Sequence, residues 1–176
     1  MGGVYTSPVS RIVAGLLLTL LAAPALAALS APAFTIKLLD DSGIFDSRAA
    51  IGKKILLVRI QASWCKACAD EADGIERLYE KYGPRGVEVV AIHIQDTAAD
   101  ARRFLKDHGA KYPAGLDPHL TIANRFGWKG TPYTIVISKK GEIVARINGR
   151  ADEARWSRIL DPLLSPPPTT KSPSRP

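Results

Sequence analysis

Cysteine is scarce in this chain: two among 176 residues, Cys65 and Cys68, three apart. A secreted scaffold held by disulfides carries more, at wider spacings, so distant parts of the fold are not stapled together. Methionine is scarcer still, Met1 being the only one. Two thiolates suit Cu(I), but no thioether is at hand to help them. A zinc site wants four ligands, commonly from two such cysteine pairs, and His93, His108 and His119 have no partner-pair spacing. No metal is therefore expected, and a Cu(I) carrier using the two thiolates is kept as the alternative. Blocks of like charge are also missing. The net charge of +7 is spread over Lys53 and Lys54, Arg102 and Arg103, Lys139 and Lys140, and Arg155 and Arg158. Aromatic residues are 7% of the chain and none is interleaved with these basic ones. That pattern is a solvated surface and not a nucleic-acid footprint.

What is present is an ordinary globular composition, 46% apolar, in a length that suits one domain with accessory ends. Arg11 precedes an uncharged run from Ile12 to Leu29, and Ala25-Leu26-Ala27 gives a small-x-small site. This is the layout of a secretory signal, with cleavage after Ala27. An uncleaved membrane anchor is the rival, although Pro24 interrupts the run and it is slightly short for a span. Either way the rest of the chain is expected to be exported. At the other end, Ser165 to Pro176 is rich in Pro, Ser and Thr and is expected to be disordered. The domain between runs from 28 to 164.

Within it, Phe34 to Leu39 reads as extended, followed by the turn Asp40-Asp41-Ser42-Gly43. Ile55 to Ile60 is a nearly continuous apolar strand, the kind covered on both faces. From Cys65 to Tyr82 the period becomes helical, with Ile75, Leu78, Tyr79 and Tyr82 on one face and Glu76, Arg77, Glu80 and Lys81 on the other. Val87 to Gln95 is a second apolar strand. Thr97 to His108 reads as a helix with Asp96 or Thr97 as N-cap and Gly109 as stop. Leu120 to Phe126 is a short helix. Tyr133 to Ser138 and Glu142 to Ile147 form a hairpin through Lys139-Lys140-Gly141, and Asp152 to Leu164 is a last helix. A strand–helix–strand start with an antiparallel hairpin at the end predicts an α/β fold, a mixed central sheet of four or five strands flanked by helices.

The chemistry centres on Trp64-Cys65-Lys66-Ala67-Cys68, between a buried strand and an amphipathic helix. That position puts Cys65 at a helix N-terminus, where free N–H groups and the helix dipole favour a thiolate. Cys68, one turn on, can close a disulfide with it, the reading for a Cys-x-x-Cys in this context. The second signal is Gly130-Thr131-Pro132, directly before a strand, where a proline's missing N–H is tolerated.

Ala62-Ser63-Trp64-Cys65-Lys66-Ala67-Cys68, then Glu71, then Gly130-Thr131-Pro132, then Gly141 and Gly149 resemble the thioredoxin superfamily, most of all its exported TlpA/ResA-like branch. The resemblance covers Phe34 to Leu164. It implies the thioredoxin-like fold and thiol–disulfide exchange without an organic cofactor. Cys65 would attack a substrate disulfide and Cys68 would release the mixed disulfide. Glu71 would be a partly buried acid that handles protons, against the plainer reading of a helix-surface residue. Trp64 and Thr131 would meet the substrate, with Thr131–Pro132 in the cis form. The implied partners are an exported protein bearing a disulfide and a membrane-bound thiol-reducing donor, with the chain itself a monomer. The implied settings are cytochrome c maturation or copper-centre assembly, and together with the signal pattern the resemblance implies a bacterial periplasm. Peroxidase-type redoxins place the attacking cysteine in a different motif, and a degenerate partner-binding domain would not need an intact cysteine pair.

The departures from the pattern are Asp73 and Lys66-Ala67 where proline is common, and Arg59, six residues before Cys65, where an acid or Asn is common. Arg59 either faces the dithiol and favours its thiolate, pairs with Glu71, or runs along its stem to the surface. Lys66 also favours thiolate. A more stable reduced state means a more oxidising disulfide, so these two charges lean toward an oxidant while the resemblance implies a reductant.

Overall fold

The computed structural model describes residues 1–2 and 29–165. The segment read as a signal, 1–27, and the tail, 165–176, lie outside the described residues except for residues 1, 2 and 165. Among the described residues no helix is long and apolar enough to cross a membrane.

Two short strands, β1 (Thr35–Lys37) and β2 (Ile44–Asp46), form an antiparallel pair across the Asp40–Gly43 turn. The central sheet follows: β3 (Ile55–Gln61), β4 (Val87–Ile94), β5 (Ala114–Asp117), β6 (Tyr133–Ile137) and β7 (Ile143–Asn148). Its order is β5-β4-β3-β6-β7, with β3, β4 and β5 parallel and β6 and β7 antiparallel. Helices α1 (Lys66–Tyr82), α2 (Ala98–Asp107), α3 (Thr121–Arg125) and α4 (Glu153–Leu164) complete it.

Every residue of β3 is buried, because layers lie on both faces of the sheet. On one face Ile75, Leu78 and Tyr82 of α1, Ala101 of α2, and Trp156 and Leu160 of α4 pack with Leu57, Val89, Val136 and Ile147. On the other, Phe34 and Ile36 of the N-terminal strand pair, with Ile122, Ala123 and Phe126 around α3, pack with Val58, Ile60, Ile92 and Ile135. Cys65, Cys68 and Ala72 join this second group at the end of the sheet.

The outward face assigned to α1 needs one correction. Glu76 is buried, and its Oε2 accepts the Lys111 backbone N–H at 2.8 Å. The helical period placed it outward, but the loop before β5 folds over that position and supplies a donor. Two strands, β2 and β5, were absent from the expectation.

Helix α3 has only five residues, too few to persist alone. Its start is held by Asp117, the last residue of β5. The buried carboxylate accepts N–H groups from Thr121 at 2.7 Å, and from Ile122 and Ala123 at 2.8 Å each. Asp117→Ala is expected to cost about 2 kcal/mol or more, the upper end for a lost cap, because buried donors are stranded. The shift in urea midpoint measures it. A loss below about 0.5 kcal/mol, the low end for a lost cap, would mean that the helix start does not depend on Asp117.

Candidate functional site

β3 and β4 end at the same edge of the sheet, and β6 begins there. Ile60 of β3 pairs with Tyr133 of β6, and Gln61 pairs with His93 of β4. This register brings the loop after β3, which carries the cysteines, beside Pro132 at the start of β6.

Cys65 is the N-cap of α1, with extended backbone, and Cys68 lies in the first turn. The two are joined in a disulfide. The Cys68 backbone N–H donates to Cys65 Sγ at 3.1 Å, so a donor at the helix N-terminus already points at the sulfur that would carry negative charge after reduction. Cys65 is 7% exposed and Cys68 is fully buried. Of the two, only Cys65 keeps any exposed surface. Trp64 beside it is 58% exposed. With Ser63, Ala69, the α2 residues Asp100, Arg103, Phe104 and Asp107, and His108 just beyond the helix, it lines a shallow groove of about 260 Å³.

The peptide bond Thr131–Pro132 is cis. Thr131 is half-buried and Pro132 is buried. The Pro132 carbonyl accepts the Gly149 N–H at 2.9 Å, which ties the loop to the end of β7. Gly130 has φ +149° and Gly149 φ +81°; glycine adopts both without the Cβ clash an L residue would meet.

Arg59 lies within β3 and is 1% exposed. Of its three sequence-derived destinations, the surface is ruled out. Its Nη2 stands 3.0 Å from Glu71 Oε2, an ion contact without the alignment of a hydrogen bond. Its Nε–H donates to Gln61 Oε1 at 2.9 Å. Glu71 is buried rather than on the helix surface, and its Oε1 accepts the Ala151 N–H at 2.9 Å. Glu71 and Ala151 border a cavity of about 700 Å³ between α1 and the start of α4. Lys66 is highly exposed and pairs with Asp70 one turn along, at 2.9 Å. That contact holds the Asp70 carboxyl below its usual range.

His93 shows more than the sequence assigned to it. It is fully buried, with Nε2 2.8 Å from Gln61 Nε2 and Nδ1 2.8 Å from Asp96 Oδ2. Asp96 in turn accepts the Ser63 backbone N–H at 2.7 Å and the Ser63 hydroxyl at 2.6 Å. The sequence does contain a partial signal for this group: Arg59 and Gln61 are polar residues two apart in the otherwise apolar β3, hence on one face, and His93 is a polar residue in the apolar second half of β4. Trp128 packs against the core with its Nε1–H unpartnered, and Phe126 is a core residue.

Comparison with known proteins identifies the family. The redoxin family profile matches residues 27–160. The thiol-disulfide oxidoreductase ResA of Bacillus thuringiensis (strain Al Hakam) is 30% identical over 109 residues, 62% of this chain and 62% of ResA. The match thus spans under two thirds of the length of the ResA relatives. The thiol:disulfide interchange protein HelX of Rhodobacter capsulatus is 32% identical over 142 residues, 80% of this chain and 78% of HelX. Among solved structures, a thiol:disulfide interchange protein of the thioredoxin family from Chlorobium tepidum superposes with a TM-score of 0.71 at 24% identity. It covers 78% of this chain and 97% of that one, a likeness of fold. On a profile that spans most of its length and a relative 32% identical over four fifths of it, the chain belongs to the redoxin family of the thioredoxin superfamily.

Proposed function

We propose that the chain is an exported thiol–disulfide oxidoreductase that reduces disulfides in other exported proteins. The observation that carries this reading is the asymmetry of the cysteine pair. One cysteine caps a helix and keeps a little exposed surface, and the other is fully buried one turn behind it. In the reduced chain the Cys65 thiolate attacks a substrate disulfide, forms a mixed disulfide and displaces one substrate thiolate. The Cys68 thiolate then attacks Cys65 Sγ and displaces the second. Two electrons pass to the substrate, and the Cys65–Cys68 disulfide remains. An external dithiol, supplied from a membrane donor, regenerates the pair. Thr131, two residues before β6 at the end of the sheet that carries the dithiol, offers its backbone to an extended substrate segment, and Trp64 offers an apolar surface. Glu71 is the buried acid for proton handling. The signal-like N-terminal run supports export, and cytochrome c maturation and copper-centre assembly are the settings this reading includes.

The charge arrangement supports the reductive direction. The two cations that would favour a thiolate and an oxidising disulfide are each matched by an acid: Arg59 by Glu71, and Lys66 by Asp70 in water. Neither is a free charge held against Cys65. The test is the reduction potential of the pair, measured by equilibration with dithiothreitol or glutathione buffers. A value near or below ~−270 mV, that of thioredoxin, is expected. A value near ~−120 mV would make the protein an oxidant and overturn the direction proposed. Tight 1:1 Cu(I) binding with no dithiol turnover would overturn the enzyme reading itself.

A further inference from the structure

A buried polar chain crosses the sheet from Glu71 to the loop that carries Cys65. Its members, Arg59, Gln61, His93 and Asp96, are each less than a tenth exposed. Its polarity is forced from one end. Arginine has donors only, so the Gln61 oxygen must face Arg59 Nε–H and the Gln61 amide NH₂ must face His93. An amide NH₂ cannot accept, so His93 Nε2 is the acceptor and carries no proton. His93 is therefore neutral, with its hydrogen on Nδ1, which donates to Asp96 Oδ2. A proton on Nε2 would set N–H against N–H. Burial independently lowers the proton affinity of His93; Asp96 opposes this, and Arg59 adds to it.

The far end of the chain grips one residue. Ser63 gives Asp96 both its backbone N–H and its hydroxyl, and it lies in the turn closed by the Cys65 N–H on the Ala62 carbonyl at 3.2 Å. That turn sets the approach of Cys65 to the helix N-terminus, hence the contact between its Sγ and the Cys68 N–H. We infer that Asp96 is a positioning residue for Cys65: it clamps the Ala62–Cys65 turn through Ser63 and is itself held in place from the interior by His93. The inference rests on the reading of Cys65 as the attacking sulfur.

Two variants separate hydrogen bonding from charge. In Asp96→Asn the side-chain oxygen can still accept from Ser63 N–H and His93 Nδ1–H, and the new NH₂ can donate to the Ser63 hydroxyl oxygen. All three bonds survive and only the charge is lost. In Asp96→Ala all three are lost. Neither change touches the Arg59–Glu71 or Lys66–Asp70 pairs. The experiment uses the reduced full chain and follows the rate of Cys65 alkylation by iodoacetamide against pH, with thermal stability alongside. Asp96→Ala is expected to raise the midpoint of the profile by about one pH unit, because the thiolate loses its fixed donor. Asp96→Asn is expected to stay at the wild-type midpoint or below it. Ser63→Ala, which keeps the backbone bond, should move the midpoint in the same direction by less, and it serves if Asp96→Ala does not fold. A purely structural Asp96 would lower stability and leave every midpoint in place, which would overturn the inference. A rise in Asp96→Asn equal to that in Asp96→Ala would overturn it too. Failure of the proposed function would show instead in the reduction potential of the unaltered chain, which this profile does not use.

Discussion

Cys65→Ser is expected to lose disulfide exchange by at least about a thousandfold, because a hydroxyl at that position supplies no thiolate at neutral pH. Cys68→Ser should behave differently. Its Cys65 is still the helix N-cap and keeps its exposed surface, so the first attack proceeds, but no second sulfur is present to release the product. The variant is expected to accumulate a 1:1 mixed disulfide with a disulfide-bearing substrate, seen as a mass increase that dithiothreitol removes. The contrast follows from burial: Cys68 has no exposed surface, while Cys65 has a little and sits next to the exposed Trp64. If Cys65→Ser formed the trapped species and Cys68→Ser did not, the roles of the two sulfurs would have to be exchanged. Loss of trapping in both would remove the exchange mechanism from this site.

That site was largely legible in the sequence, because its parts are local. The change from a continuous apolar run to a helical period marks the junction of β3 and α1, and the cysteine pair sits on that junction. The proline before β6 needed only its own neighbourhood. What could not be read depends on strand register and on what covers each face. Arg59 had three destinations until both faces of β3 were known to be covered; at 1% exposure the surface is closed to it, and Glu71 is a buried partner. The strand β5 was missed because Ala-Gly-Leu-Asp carries no strand pattern. Its glycine is a packing requirement, since a Cβ at Gly115 would lie 2.6 Å from the Lys37 carbonyl of the crossing β1. In the sequence His93 stands only as a histidine without metal-pair spacing. The pairing of Gln61 with His93 across β3 and β4, and the hydrogen bonds through Asp96, place it in a chain ending at Ser63.

The same physics makes Glu71 the residue whose loss should damage the fold most. Arg59 is always charged and cannot shed that charge by losing a proton. In Glu71→Ala the guanidinium stays buried with no counter-ion, and the Ala151 N–H loses its acceptor. Breaking one side of a buried ion pair costs about 3–5 kcal/mol, a large share of the ~5–15 kcal/mol that holds a domain together. Glu71→Gln should cost less, because an amide oxygen can still accept from Ala151 and stand near the guanidinium. Arg59→Met combined with Glu71→Ala should recover part of the loss, because the stranded charge goes with its partner. Arg59→Met alone leaves Gln61 Oε1 without its donor and the carboxylate without its cation. A double-mutant cycle in guanidinium chloride, with the disulfide closed in every variant, measures the coupling. A coupling of about 2 kcal/mol or more is expected for a pair this deeply buried. A coupling near zero would mean that Glu71 is retained for its bond to Ala151 and its proton chemistry alone, and that the charge of Arg59 is balanced elsewhere along the buried chain.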